Sequence, residues 1–184
     1  TKAPKVGPRS AGAHPGPVCY SFGGKEATVT DMDLILGYLN SKFYMEGRAA
    51  LDLEGARKAF KAQVSDPLGM DIMEAACAMC RLTNSLLYDM LHKMTVEKGL
   101  DPREYVLFSF GGTAGMHLGA VGQELEMQKV IIPYTASVHG AYGLVSANTV
   151  HEAQVTSPMR VPVAVDKVND IFQWLIDKTA AQLK

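Results

Sequence analysis

Tyr105-Val106-Leu107-Phe108-Ser109-Phe110, followed by Gly111-Gly112-Thr113-Ala114-Gly115-Met116-His117 and then Leu118 to Leu125, reads as a buried strand, a glycine turn and a helix. The apolar run is short and unbroken, as in a strand covered on both faces. Gly111 and Gly112 permit positive φ and a close approach by another molecule. The helix that follows offers free N–H groups and the positive end of its dipole, which favour an anion or a polar ligand. Such a junction can seat a nucleotide. The same spacing also suits a plain tight turn between a strand and its packed helix, since short glycine motifs recur for many reasons.

The neighbouring segments extend this pattern into an α/β layer. Lys129-Val130-Ile131-Ile132-Pro133 is predicted as a second strand that Pro133 ends, and Ser137 can cap a helix from Val138 to about Asn148. Strand, helix, strand, helix in this order argues for parallel pairing. Upstream, Asp71 and Glu74 cap a long helix that runs to Lys98 and stops at Gly99. Asn84, Ser85 and Asp89 interrupt its apolar stripe. They face solvent, or Asn84 points into a ligand cleft. Asp52 caps a helix from Leu53 to about Val64, ended at Asp66-Pro67-Leu68-Gly69. Thr28-Val29-Thr30 is expected to be a short strand, with Thr30 and Asp33 capping a helix through about Leu39. Capping accounts for Asp31 and Asp33 more simply than a metal pair does. Residues 1–30 read as a loop rich in small residues. Residues 151–165 are extended, and Asp166 to Leu183 forms an amphipathic helix.

Composition bounds the function. With 184 residues, 47% of them hydrophobic, the chain can bury a core, and a net charge of −1 with no basic block implies no nucleic-acid surface. No apolar run is long enough to span a bilayer, and the first residues show no signal region. Three cysteines fit a reducing cytoplasm better than a disulfide scaffold. Cys77-Ala78-Met79-Cys80 lies well inside a helix and lacks two further zinc ligands nearby, so both are expected as core cysteines rather than a zinc or redox pair. The five histidines show no metal spacing, and only His117, directly after the glycine turn, stands out. The chain has no initiator Met and begins in loop-like sequence, which suggests a piece of a longer polypeptide.

Several segments together resemble the hydantoinase A/5-oxoprolinase family, which includes subunits of ATP-dependent acetone and acetophenone carboxylases. They are Val6-Gly7-Pro8-Arg9-Ser10-Ala11-Gly12-Ala13-His14-Pro15-Gly16-Pro17-Val18-Cys19-Tyr20, then Thr28-Val29-Thr30-Asp31 with Leu36-Gly37, then Val96-Glu97-Lys98-Gly99 to Asp101-Pro102-Arg103, and finally Phe110 to His117. The resemblance implies the C-terminal lobe of an actin-like, Hsp70-like ATPase fold, with a mixed sheet and packed helices. Residues 1–150 would be the C-terminal portion of the ATPase domain, and 151–184 a linker and helix that begin a further subdomain or contact. It implies ATP as cofactor, with Gly111, Gly112, Thr113 and Gly115 holding the adenosine part; Asn84, from the reading of its helix, is a further cofactor-binding candidate. The implied activity is ketone carboxylation through phosphorylated bicarbonate and enolate, with ATP-dependent opening of a cyclic amide as the alternative. A non-catalytic assembly lobe is the reading of another class.

Two departures bear on this. The usual family loop resembles Gly-Gly-Ala-Gly-Pro-Leu-His, and here Thr113 and Met116 stand in place of Ala and Pro. The acidic glycine loops that hold phosphates and magnesium in the family are absent. The magnesium ligands and the catalytic residues are therefore expected outside this chain, in other subunits or in a preceding part of the same polypeptide.

Overall fold

The computed structural model describes residues 4–182. The chain divides into two compact units, residues 1–140 and 141–184. In the first unit the elements follow in the order α1 (Val29–Ile35), α2 (Leu53–Phe60), α3 (Asp66–Leu68), α4 (Ile72–Met94), β1 (Val106–Phe108), α5 (Ala114–Glu124) and β2 (Lys129–Ile131). α6 (His139–Ser146) begins at the end of this unit. The second unit carries the rest of α6 and α7 (Val165–Ala181), which buries none of its residues. The expected end of that helix at Leu183 lies outside the described residues. No helix of the described residues is long and apolar enough to cross a membrane.

α1 starts earlier than its β-branched residues suggest. Thr28, not Thr30, is the N-cap, and it forms a capping box with Asp31. The expected strand at 28–30 is therefore the cap and first turn of a helix, because the cap satisfies donors that a lone strand would leave open. Asp31 also holds the preceding loop. Its carboxylate accepts from the N–H groups of Cys19 (2.8 Å), Val18 (3.3 Å) and Thr28 (2.9 Å), and from the Thr28 hydroxyl (2.7 Å). The N-terminal loop is thus fastened to α1 by a fully buried carboxylate.

The core has two clusters on either side of α1. Met32 and Ile35 pack with Phe60, Ala75, Ala76, Met79 and Cys80, and Leu34 packs with Cys19, Leu51 and Ala56. α2 does not stop where its apolar period ends. A π-helical turn, Lys61–Ser65, carries it into α3, and Gly69 closes it in the left-handed conformation. α4 starts on Asp71, whose carboxylate accepts from the Met73 N–H, and ends at Met94 rather than Lys98. A 3₁₀ turn and left-handed Gly99 follow. Its 23 residues span about 35 Å at ~1.5 Å per residue.

β1 and β2 pair in parallel with Leu107 opposite Val130. Among the described residues this pair is the whole sheet, so the antiparallel members of a mixed sheet are not seen. α5 crosses between the strands and packs closely on β2. A Cβ built on Gly122 would stand 2.5 Å from Val130 Cγ2, so only glycine fits that crossing without a shift. β1 is not covered on both faces as its sequence suggests. Leu107 is buried, while Val106 and Phe108 are exposed.

Candidate functional site

The turn between β1 and α5 is open. The Ser109 N–H extends the strand pairing by donating to the Ile131 carbonyl (2.8 Å), and the Gly111 N–H donates to the Ala136 carbonyl (2.7 Å). Between these ties and α5 the main chain is bare. Gly111 lies at φ +91°, where an L side chain is strained, and nothing stands within 4 Å of a Cβ built on Gly111 or Gly112. Thr113 is the N-cap of α5 but gives no side-chain cap, so the helix presents its first N–H groups uncapped. Gly115 is turned the other way. A Cβ there would lie 3.5 Å from Ile132 Cδ1, an ordinary contact, and the residue rests on the end of the strand layer.

Behind this turn lies a polar chain, buried at His117 and Asp33 and half-buried at Asn84, that connects three helices. His117, in the first turn of α5, is 2% exposed, and Asp33 of α1 is 0% exposed. His117 Nδ1 lies 2.8 Å from Asn84 Oδ1 on α4. An amide oxygen only accepts, so Nδ1 carries the proton and donates. On the other side of the ring, Nε2 stands 3.4 Å from Asp33 Oδ1. Both Asp33 oxygens and His117 Nε2 are buried without a hydrogen bond. The Asn84 amide nitrogen lies 4.0 Å from Cys80 Sγ, and Tyr38 meets the His117 ring edge-on at 6.5 Å. Burial pushes the Cys80 thiol up. Tyr38 is also raised, first by its electrostatic interaction with Cys80.

The structure brings Gly111, Gly112, Thr113 and Gly115 into one turn and places Asn84 behind it, joined to the same helix through His117. Asp33 is a correction. It is no helix cap but a buried carboxylate aimed at His117. Residues two apart on a helix lie about 200° apart, so Asp31 and Asp33 cannot serve one cap. That spacing was the available signal. Cys77 is corrected too. Only Cys80 of the pair is buried, while Cys77 is exposed. Among the described residues no group of three or more His, Cys, Asp or Glu side chains could hold a metal ion.

The chain is similar to known proteins along most of its length. Caprolactamase subunit alpha from Pseudomonas jessenii is 36% identical over 183 residues, which is 98% of this chain and 26% of that protein. The acetophenone carboxylase gamma subunit of Aromatoleum aromaticum is 37% identical over 147 residues, covering 80% of this chain and 20% of that one. Among solved structures, a nucleotide-free acetone carboxylase, described as ATP-dependent, superposes on 98% of this chain and 27% of its own, with a TM-score of 0.78 at 30% identity. The chain thus spans about a quarter of the length of such relatives. The family model for hydantoinase/oxoprolinase matches residues 1–153, and the chain belongs to that family.

Proposed function

We propose that this chain forms the adenosine-side wall of the nucleotide site in an ATP-dependent enzyme, completed by polypeptide beyond the residues described. Residues 1–150 are read as the C-terminal portion of the ATPase domain, a lobe of actin-like, Hsp70-like type, and 151–184 as a linker and contact helix. The observation that carries the reading is the bare main chain at Gly111 and Gly112, directly ahead of the uncapped first turn of α5. A flat, polar-edged ring can lie against glycine main chain where any side chain would intrude. The helix end offers N–H groups to polar atoms of the ligand. Gly115 seats the turn on the strand layer, and Asn84 supports it from behind through His117.

ATP, when bound, supplies the phosphoryl group that activates an unreactive carbonyl oxygen. This chain's residues bind and orient the nucleotide, while the phosphate and magnesium contacts fall to the partner polypeptide. The proposed reaction is carboxylation of a small ketone with bicarbonate in the cytoplasm. The second reading, opening of a cyclic amide, draws on the caprolactamase subunit, whose match runs through 98% of the chain.

Hydrogen exchange on the assembled enzyme tests the site. ATP is expected to protect residues 111–117. Gly112→Asp is expected to abolish that protection and to weaken binding at least tenfold, about 1.4 kcal/mol. A loop that exchanges equally fast with and without saturating ATP sinks the reading in favour of an assembly lobe. ADP release with ketone plus bicarbonate, against release with a lactam, separates the two reactions.

A further inference from the structure

The chain Asp33–His117–Asn84 is buried at Asp33 and His117 and half-buried at Asn84, and it reaches the helix that follows the glycine turn. His117 sits four residues after Thr113, and its ring is enclosed between α1 and α4. The turn itself is loosely held, with no side-chain cap at Thr113 and no neighbour within 4 Å of the Cβ positions at Gly111 and Gly112. On the strand side it is tied by the Ser109 N–H to the Ile131 carbonyl and the Gly111 N–H to the Ala136 carbonyl. The His117 ring, set between Asp33 and Asn84, is thus a further restraint on the first turn of α5, beside the contact of Gly115 with Ile132.

We infer that Asp33 is a positioning residue for the nucleotide turn and acts on it through His117. The inference rests on the nucleotide-site reading. A buried carboxylate is costly unless it is paired, and the group facing Asp33 is His117 Nε2. Nε2 stands 3.4 Å from Asp33 Oδ1 on one side of the ring, and Nδ1 stands 2.8 Å from Asn84 Oδ1 on the other. The pair fixes the ring from one side and the Asn84 amide fixes it from the other. Loosening the pin lets the turn sample positions that do not bind. Apparent affinity then falls in proportion to the competent fraction. If that fraction drops to about a tenth, ATP binds about tenfold more weakly.

The test compares wild type with Asp33→Asn in the assembled enzyme, measuring ATP affinity by titration and exchange at residues 113–117 without nucleotide. The expected result is roughly tenfold weaker binding with faster exchange confined to 113–117, while the unfolding midpoint reports an intact fold. A merely structural role would lower the midpoint and leave the affinity of the folded molecules unchanged, and that result overturns the inference. Should Asp33→Asn fail to fold, His117→Gln carries the same comparison. Wild type decides if neither variant folds. ATP is expected to move the ring ¹⁵N resonances of His117, and resonances that stay put at saturation overturn the inference. Failure of the underlying reading looks different, since residues 111–117 of wild type would then gain no protection from ATP at all.

Discussion

Two glycine-rich segments of this chain have opposite surroundings. At Gly16 a Cβ would stand 2.8 Å from the Ala13 carbonyl oxygen, and at Gly24 it would stand 2.2 Å from the Gly16 carbonyl oxygen. At Gly111 and Gly112 it would meet nothing within 4 Å. The first segment packs against itself at Gly16 and Gly24, though Gly7 and Gly23 are open, and Asp31 takes up the N–H groups of Val18 and Cys19. The second leaves the space beside Gly111 and Gly112 open, and the following helix has no side-chain cap. Glycine density alone therefore does not mark a binding site. The distinguishing observation is whether the space beside the glycine is already filled by the chain.

The largest effect expected from breaking this contrast is at Asp31. Asp31→Ala removes the acceptor of three N–H groups and a hydroxyl at a fully buried position. Unsatisfied buried donors cost about 1–3 kcal/mol each, so a loss of about 3 kcal/mol or more is expected in urea denaturation. Next comes Gly24→Ala. Its collision is with main chain, which cannot rotate away, and overpacking of this kind costs about 1–3 kcal/mol. Gly112→Ala should fall within about 0.5 kcal/mol of wild type in the same measurement, as an open surface position does. It should nonetheless weaken ATP binding. A Gly112→Ala protein as destabilised as Gly24→Ala would show that the second segment is packed too, and the contrast would collapse.

The sequence announces these regions unequally. The strand–turn–helix at 105–125 is legible because the pattern switches from a continuous apolar run to glycine and then to a helical period. The observed β1 and α5 fall inside those limits. α4 is legible from Asp71 at its start and Gly99 beyond its end. The start of α1 is not, because Val29 and Thr30 carry strand propensity that the Thr28–Asp31 capping box overrides. The break at Asp66-Pro67 is not one either, since a proline in a first helical turn gives up no hydrogen bond and the π turn carries the helix across. The glycine turn could be read locally. The partners of His117 could not, for Asn84 lies 33 residues away in sequence and no period links α1 and α4 to α5.

The smallest expected effect sharpens the contrast from the thiols. Cys19 lies fully buried in the self-packed segment, and burial first, then the charge of Asp31, push its thiol well up. Cys80 is raised by burial, while Cys77 is exposed. Alkylation of the native protein should therefore modify Cys77 first, with Cys80 and Cys19 reacting only as the fold opens. The sign of the pH effect follows from the same shift. Below the ordinary thiol value of about 8.5 the folded and unfolded chains both keep the proton, and stability is unaffected. Above it the unfolded chain releases a proton that native Cys19 retains, so stability falls as pH rises. Denaturation midpoints at pH 7 and pH 10 should show this decline, and Cys19→Ala should lessen it. Equal declines in the two proteins would mean that the Cys19 thiol is not enclosed. The loop around Gly16 would then be no more closed than the turn at Gly112.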